Sequence, residues 1–223
     1  RGLGDVYKRQ FPHHENEIAQ SEGCTGIHPF VHYWLHNGFI TVNEEKMSKS
    51  LGNFFMVIDI LEHYDPETLR FFIVSTHYRS PLDFSDARLT EAQKSLARLR
   101  QAQETLGELQ QMLNAGPTEE SMALRAKAQE IRDAFMEAMR DDFNTALAIS
   151  HMFALAKEIN IYFKSITDAN IKPDGKLVAI LSDVFAEMCS IIGVLEKTAA
   201  PEEVADNGDN KEAALVEMLI GMR

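Results

Sequence analysis

The sequence predicts a mainly α-helical protein in which a short, chemically varied segment precedes an antiparallel helical bundle. Up to residue 85 the chain holds most of its aromatic residues, all but one of its histidines and a loop rich in lysine and serine. Beyond residue 86 it is dominated by Leu, Ala, Glu, Gln and Arg, which favour helices. We therefore expect two domains that meet near residues 84–88.

Apolar residues recur at helical spacing in four runs of the second half, and each run predicts one buried stripe. The first two are Leu89, Ala92, Leu96, Leu99, Leu106 and Leu109, and Leu124, Ala128, Ile131, Phe135 and Met139. The third, Ile149, Met152, Ala156, Ile159, Phe163 and Ile166, follows Asn144, a residue suited to begin a helix. The fourth, Leu177, Leu181, Val184, Met188, Ile191 and Leu195, follows the turn at 172–175. This pattern is typical of a helical bundle.

The first half predicts a helix, a second helix, a strand and a lysine-containing loop. Pro12 suits the first turn of a helix, so we expect a polar helix over HHENEIAQSE with Ile18 and Ala19 inward. The stretch PFVHYWLHNGF predicts a second helix that Asn37-Gly38 closes. FITV is a short β-prone run that leads through residues 43–45 into KMSKSLGN.

Composition restricts the class of protein. The 223 residues are 45% hydrophobic and 25% charged, values typical of globular proteins. No stretch has the apolar length of a membrane span and no secretion signal is visible, so we expect a cytoplasmic protein without a membrane partner. Cys24 and Cys189 form no CxxC pair, which argues against a disulfide framework. The net charge of −12 means that any RNA contact must depend on a local basic patch.

The segment FPHHENEIAQ contains a possible half of a metal site. On a helix, residues four apart share a face, so His13 and Glu17 can reach one ion. Zinc needs four ligands, so the pair supplies at most two of them. The alternative is a solvated helix start whose acids complement the helix dipole. His28, His32 and His36 also recur every four residues, but among aromatic neighbours we interpret them as packing or hydrogen-bonding residues.

KMSKS, residues 46–50, is the most informative motif. Two lysines, two hydroxyls and the following Gly52 suit a polyphosphate, and Lys46 and Lys49 can stabilise negative charge on a leaving pyrophosphate. The alternative is an exposed basic turn without a ligand.

Taken together, these motifs resemble one family. KMSKS is similar to the signature loop of class I aminoacyl-tRNA synthetases, and FPHHENEIAQS resembles a segment of cysteinyl-tRNA synthetases. The resemblance continues through VHYWLHNGFITVNEEKMSKSLGN, DPETLRFF, HYRSPLDFS and DDFNTALAI, and covers residues 11 to about 195. It implies the C-terminal part of a Rossmann-type catalytic domain followed by a DALR-like helical bundle.

The resemblance also implies a function and site residues. It implies ATP-dependent activation of cysteine and its transfer to tRNA(Cys) in translation, with ATP and Mg²⁺ as substrate and one Zn²⁺ as cofactor. His13 and Glu17 would be two of the four zinc ligands, Lys49 would contact ATP, and Lys46 and Lys49 would be catalytic. The two remaining ligands and the HIGH motif belong to an upstream part of the family that this chain lacks, so we expect the chain to be inactive alone. Separately, we expect the protein to be a monomer.

The expected organisation is a foreign leader at 1–10, the end of the catalytic domain at 11–85, a tRNA-binding bundle at 86–197, and an acidic linker with a last partial helix at 198–223. Two other functions fit the motifs: a related ligase that joins cysteine to an amino sugar, and a non-catalytic helical fragment that binds RNA or a partner protein. A possible tRNA contact is a basic strip of Arg79, Arg88, Lys94, Arg98 and Arg100, although a solvated face with acidic partners such as Glu91 explains it equally.

Overall fold

The computed structural model describes residues 10–42, 45–46, 56–112 and 115–196. It contains a π-helical turn, Gln10–His14, and seven α-helices: α1 (Glu15–Thr25), α2 (Val57–Leu61), α3 (Pro66–Val74), α4 (Asp86–Gln111), α5 (Glu119–Arg140), α6 (Thr145–Ala169) and α7 (Gly175–Ile192). Three short strands complete the described part: β1 (Ile40–Val42), β2 (Glu45–Lys46) and β3 (Leu82–Phe84). The fold is mainly α, as the sequence predicts. No helix in the described ranges is both long and apolar enough to span a bilayer.

The small sheet has the order β2-β1-β3. Strand β1 pairs with β2 in antiparallel fashion, with Thr41 opposite Lys46, and with β3 in parallel, with Thr41 opposite Asp83. Gly38 precedes β1 and lies against the backbone of Ser80 and Pro81, where any β-carbon would collide. Glycine is therefore required at position 38, and the prediction of a strand at FITV is confirmed.

The helix predicted over PFVHYWLHNGF is wrong: residues 26–39 have no regular structure. The chain here joins the sheet instead, because the Gly38 N–H donates to the Tyr78 carbonyl at 2.6 Å and the Leu82 N–H donates to the Phe39 carbonyl at 2.9 Å. Aromatic and β-branched residues also lose side-chain freedom in a helix, so this stretch resists helix formation. Asn37-Gly38 therefore does not mark the end of a helix, contrary to the prediction.

Helix α1 forms within the predicted stretch but packs differently from the prediction. Its described side chains include no buried residue: Ile18 is half-buried and Ala19 is exposed. The expected inward position of Ala19 is therefore wrong. The helix ends at Gly26, whose φ of 69° lies in the left-handed region and whose N–H donates to the Glu22 carbonyl.

The bundle follows the predicted stripes. Helices α6 and α7 each pack against both α4 and α5, and the stripe residues of all four helices are buried or packed against the core, with one exception. Ile191 is exposed, and Ile192 takes the buried position. Leu195 is buried as expected but lies beyond the end of α7, with a positive φ.

Side-chain caps determine where the helices begin. Ser85 accepts the Arg88 N–H at the start of α4, and Asn144 accepts the Leu147 N–H at the start of α6, as the sequence predicts for Asn144. Asp174 caps α7 in the predicted 172–175 turn. Helix α4 begins at Asp86, within the boundary expected at residues 84–88. However, Phe71 and Phe72 of α3 belong to the same buried cluster as the bundle. The division into two domains stays a prediction.

Candidate functional site

The histidine-acid pair lies on the solvent side of the first helical segment. His13 is in the π-helical turn and Glu17 is in the first turn of α1, and both side chains are exposed. Within the described residues, His13 forms no hydrogen bond or ion pair, and no group of three or more His, Cys, Asp or Glu side chains is arranged to hold a metal. The described part of the chain therefore offers two donor groups rather than a complete metal site.

The neighbouring His14 has a different environment. Its ring stacks on Trp34 with a centroid distance of 4.4 Å, and its Nε2 lies 3.3 Å from Nε2 of His36. Phe30 meets Trp34 edge-on at 5.8 Å. His14 thus anchors the irregular 26–39 segment on the helix start, whereas His13 stays exposed.

Of the three histidines interpreted as packing or hydrogen-bonding residues, His28 and His36 make such contacts, whereas His32 is exposed. His28 Nδ1 lies 2.6 Å from the Glu22 carboxylate, and His36 contacts His14. Because residues 28–36 form no helix, their spacing of four does not create a common face.

The first residue of the lysine loop, Lys46, belongs to the sheet. Lys46 ends β2, where its backbone pairs with Thr41 of β1. Lys49 and the rest of residues 47–55 lie outside the described residues, as do residues 198–223, for which an acidic linker is expected. The chain re-enters the described part at Met56, which precedes α2.

Two motifs that are distant in sequence meet where the sheet joins the bundle. Tyr78 Oη donates to Asp142 Oδ1 at 2.7 Å, and the Arg79 guanidinium donates to both carboxylate oxygens of Asp142, at 2.8 and 3.1 Å. His77 stacks on Tyr78 with a centroid distance of 5.0 Å. We call these four residues the junction cluster; it connects HYRSPLDFS to DDFNTALAI.

The junction cluster has electrostatic and backbone consequences. The hydrogen bond from Tyr78, followed by the charge of Arg79, holds the pKa of Asp142 below its ordinary value. Asp142 and Phe143 have φ values of 55° and 54°, a left-handed conformation that is costly for a phenylalanine. Phe143 is nevertheless 55% exposed. The residue that pairs with Arg79 thus lies in a strained turn, and the next residue in this turn, Phe143, exposes its ring to solvent.

A second set of contacts ties α3, the DPETLRFF segment, to the end of α7. Arg70 donates two hydrogen bonds to the Ile192 carbonyl, at 3.1 and 3.0 Å. Glu67 accepts the Leu195 N–H and a 2.6 Å hydrogen bond from Arg100. Gly193 has a φ of 73° and lies against the Arg70 guanidinium, so a larger residue would displace it. Helix α3 therefore has a defined position on the bundle.

The predicted basic strip is largely neutralised. Arg79 pairs with Asp142, and Arg88 and Arg100 pair with Glu91 and Glu67, respectively. Arg98 lies over the Phe153 ring instead of an acid. Of the two interpretations, the face with acidic partners describes these arginines better than a continuous strip for RNA.

Sequence reasoning did not find the junction cluster, although both motifs were visible. Nothing in the spacing of Tyr78 and Asp142, which are 64 positions apart, indicates that they touch. The available signal was a Tyr-Arg dipeptide in one motif and an Asp-Asp pair in the other, and such pairs of residues are too common to assign partners.

Comparison with known proteins identifies both halves. Residues 5–94 match the model of the tRNA synthetases class I (C) catalytic domain, and residues 134–196 match the DALR domain. The first match begins inside the segment 1–10 that was expected to be a foreign leader; that expectation stays a prediction.

Curated relatives match along nearly the whole chain. Cysteine–tRNA ligases of Heliobacterium modesticaldum and Pelotomaculum thermopropionicum are each 46% identical to it, over 96% and 98% of this chain and 44% and 45% of their own length. That of Desulfitobacterium hafniense is 45% identical over 100% of the chain and 45% of its own length. The chain thus spans less than half the length of these relatives.

A solved structure shares the fold. The LeuRS of Agrobacterium radiobacter K84, crystallised as a ternary complex with tRNA and LeuAMS, superposes with a TM-score of 0.52 at 18% identity, covering 81% of this chain and 25% of that one. By its sequence relatives and its two domain matches, the chain belongs to the cysteine–tRNA ligase family of class I aminoacyl-tRNA synthetases.

Proposed function

We propose that this chain is part of a cysteine–tRNA ligase that activates cysteine with ATP and transfers it to tRNA(Cys) in the cytoplasm. The carboxylate of cysteine attacks the α-phosphate of ATP and pyrophosphate leaves. A hydroxyl of the terminal ribose of the tRNA then takes the cysteinyl group from the adenylate, and AMP leaves. The observation that carries the proposal is the identity of 45–46% to cysteine–tRNA ligases over almost all of the chain. The enzyme would act as a monomer.

His13 and Glu17 are the candidate zinc ligands of this chain. An imidazole and a carboxylate are suitable zinc donors, and both side chains are exposed at the start of one helical segment. His14 is less suitable, because its ring is engaged with Trp34 and His36. The pair therefore fits half of a site, and the other ligands would come from outside the chain. Bound zinc would favour a thiolate over a hydroxyl and so distinguish cysteine from serine.

Lys46 and Lys49 are the candidate catalytic residues. Their ammonium groups would stabilise the negative charge that develops on the pyrophosphate of Mg²⁺-bound ATP, and Lys49 would contact ATP directly. The pairing of Lys46 with β1 supports this role, since it ties the start of the loop to the sheet.

The contacts of α3 and of the junction cluster would set the position of the bundle relative to this loop. Both involve motifs shared with the family, DPETLRFF, HYRSPLDFS and DDFNTALAI. A tRNA bound along the bundle would then present its terminal ribose at a constant place. Misplacement of a reacting group by about 1 Å is enough to slow a reaction strongly.

The test uses the full-length protein that contains this chain. Cysteine-dependent exchange between ATP and pyrophosphate, together with cysteine charging of tRNA(Cys), is the expected result, and serine at the same concentration should support little exchange. Lys49→Ala should lower the exchange rate much more than the affinity for cysteine, because the lysine acts mainly on the transition state. Transfer of cysteine to an amino sugar rather than to tRNA, or equal exchange with serine, would contradict the proposal.

A further inference from the structure

A surface groove follows the contact between α4 and α6. It has a volume of about 410 Å³, and its lining includes Arg98 from α4 and Phe153, Lys157, Ile161 and Lys164 from α6. We call it the α4–α6 groove. Three of its lining residues are cations and none is an acid.

The three cations of the α4–α6 groove have no acidic partner. All three are exposed, and none forms an ion pair within the ranges that the structure describes. Lys127 differs, because it pairs with Glu158 at 2.8 Å outside the groove. In a chain of net charge −12, clustered positive charge that no described acid neutralises attracts an acidic segment.

The chain leaves the bundle beside the helix that forms one wall of this groove. The Gln103 side chain of α4 donates to the Leu195 carbonyl at 3.0 Å, and Gln103 lies less than two helical turns from Arg98. The described part of the chain ends one residue later, at Glu196. The following residues therefore start from the surface of α4.

The sequence contains an acidic segment close to this exit. Residues 202–209, EEVADNGD, contain four acids and no base, and they lie outside the described residues. Residues 197–201 can span up to about 17 Å when extended, which exceeds the diameter of a helix with its side chains, about 10–12 Å. The acidic segment is therefore within reach of the groove on another face of α4.

The spacing of the charges on the two partners also agrees. Lys157 and Lys164 are seven positions apart on α6, which places them on one face about 10 Å apart along the helix axis. Glu203 and Asp206 are separated by about 10 Å when the chain is extended. Val204 lies between them and suits the apolar part of the groove, where Ile161 is 52% exposed.

We propose that the acidic segment, residues 202–209, binds in the α4–α6 groove of its own chain and pairs its carboxylates with Arg98, Lys157 and Lys164. Exposed ion pairs are individually weak, but the segment is tethered, so its effective concentration at the groove is on the order of millimolar. The contact holds the chain that leaves the bundle against α4 and α6 and covers their cations. It does not depend on the proposed function.

Zero-length cross-linking of the 223-residue chain tests the contact directly. A carbodiimide joins a lysine amine to a carboxylate that it touches, so we expect Lys157 and Lys164 to be joined to the acidic segment. Mass spectrometry of the digested chain identifies the joined residues. The Lys127–Glu158 pair is the positive control. Lys172, which is exposed but does not line the groove, is the negative control.

Cleavage by a glutamate-specific protease measures how often the segment leaves the groove. K157Q/K164Q should raise the rate of cleavage within the acidic segment about fivefold at low salt, because fewer cations hold it. High salt should raise the rate of the unchanged chain toward that of the variant. Lys127→Gln is the matched control and should leave the rate within about twofold. These lysines are exposed, so the thermal midpoint should not change.

Charge reversal distinguishes an ion-paired contact from a general effect of the lysines on the fold. The variant K157E/K164E should release the segment and speed cleavage after Glu202. Adding E203K and D206K to that variant should slow the cleavage again, because the charges are exchanged but still opposite. Fast cleavage of the fourfold variant at low salt would overturn the proposal.

Three further results would also overturn it. The first is that the acidic segment is joined to neither groove lysine while the Lys127–Glu158 cross-link forms. The second is that, in a mixture of isotopically labelled and unlabelled chains, the cross-links join different chains, which would assign the groove to a second copy. The third is that an RNA oligonucleotide blocks acetylation of the groove lysines without changing cleavage of the segment, which would assign the groove to RNA.

Discussion

The front segment, residues 10–46, and the bundle, residues 86–195, differ in where their apolar side chains lie. In the described part of the front segment Val42 is the one buried residue, while Tyr33 is 86% exposed and Leu35 is 54% exposed. All of the largest fully buried side chains, such as Phe135, belong to the bundle. The bundle thus has its own core, whereas the front segment carries the candidate zinc ligands on a surface with unburied apolar residues, which is typical of a surface that contacts another element.

The two cysteines give the largest expected contrast between these regions. Cys24 is exposed on α1, and Cys189 is buried in α7, where burial, and then the charges of Glu67 and Glu196, raise the pKa of its thiol from 9.0 to about 12. We expect a thiol reagent at neutral pH to label Cys24 at least roughly a thousandfold faster than Cys189, because the thiolate is the reactive form.

Mass spectrometry after timed labelling measures both rates, and Cys24→Ser identifies the faster site. Labelling of Cys189 at a similar rate in the folded chain would show that the end of α7 opens readily and would remove the contrast.

Core truncation is the next largest effect. Phe135 of α5 is fully buried, so Phe135→Ala should lower the free energy of unfolding by roughly 3–5 kcal/mol. Tyr33→Ala in the front segment removes a side chain of similar size from an exposed position. This change should alter the free energy of unfolding by less than about 0.5 kcal/mol. Urea unfolding followed by circular dichroism measures both. Comparable losses would mean that the front segment shares the bundle's cooperative core.

Acid sensitivity should come from the bundle through Asp174. Its buried carboxylate accepts hydrogen bonds from Ser121 Oγ at 2.8 Å and from the Lys176 N–H at 2.9 Å. Burial opposes ionisation, but these bonds and that from Leu177 outweigh it and hold the pKa of Asp174 below its ordinary value of 3.8. A carboxyl with a lower pKa when folded stabilises the fold above its unfolded pKa, and this stabilisation is lost as the pH falls through the folded pKa.

We therefore expect Asp174→Asn to lower the free energy of unfolding at pH 7 and to reduce the decline of that free energy below about pH 4. Asp168→Asn, at an exposed position near the end of α6, is the control. It should leave the free energy of unfolding at pH 7 and its decline at low pH unchanged. Urea unfolding at pH 7 and at pH 3 measures the difference. Parallel pH curves for Asp174→Asn and the unchanged chain would exclude Asp174 as a source of acid sensitivity.

The smallest effect is expected where the regions meet. The side chains of Arg79 and Asp142 are both exposed, so a double-mutant cycle of Arg79→Gln and Asp142→Asn should give only a small coupling energy, which should decrease as salt is added. A large coupling energy that persists at high salt would make the junction cluster a main determinant of stability rather than of position.

The sequence predicted the bundle well because the spacing of apolar residues within a single helix shows which face of that helix is buried. Leu89 and Met152 could be assigned to a core from spacing alone, since only one partner surface is needed to bury a stripe. The exception at Ile191 is local: it still lies in α7, but the buried position after Met188 is four residues on, at Ile192, rather than three.

The front segment was predicted less well because its structure depends on distant partners. Residues 36–42 extend beside residues 78–84, and the Gly38 N–H donates to Tyr78, a contact that no local pattern encodes. The same applies to the site. The spacing of four pointed to His13 and Glu17 as two ligands rather than His14, but the stacking of His14 on Trp34 could not be predicted.

The most direct test of the account concerns the donor pair on the front segment. Zinc content is measured by atomic absorption in the purified full-length protein that contains this chain, and in its variants His13→Ala, Glu17→Ala and His14→Ala. We predict about one zinc per protein in the unchanged and His14→Ala forms, and strong loss of zinc from the His13→Ala and Glu17→Ala forms. Full zinc content after either of the latter changes, or its loss only with His14→Ala, would contradict the assignment.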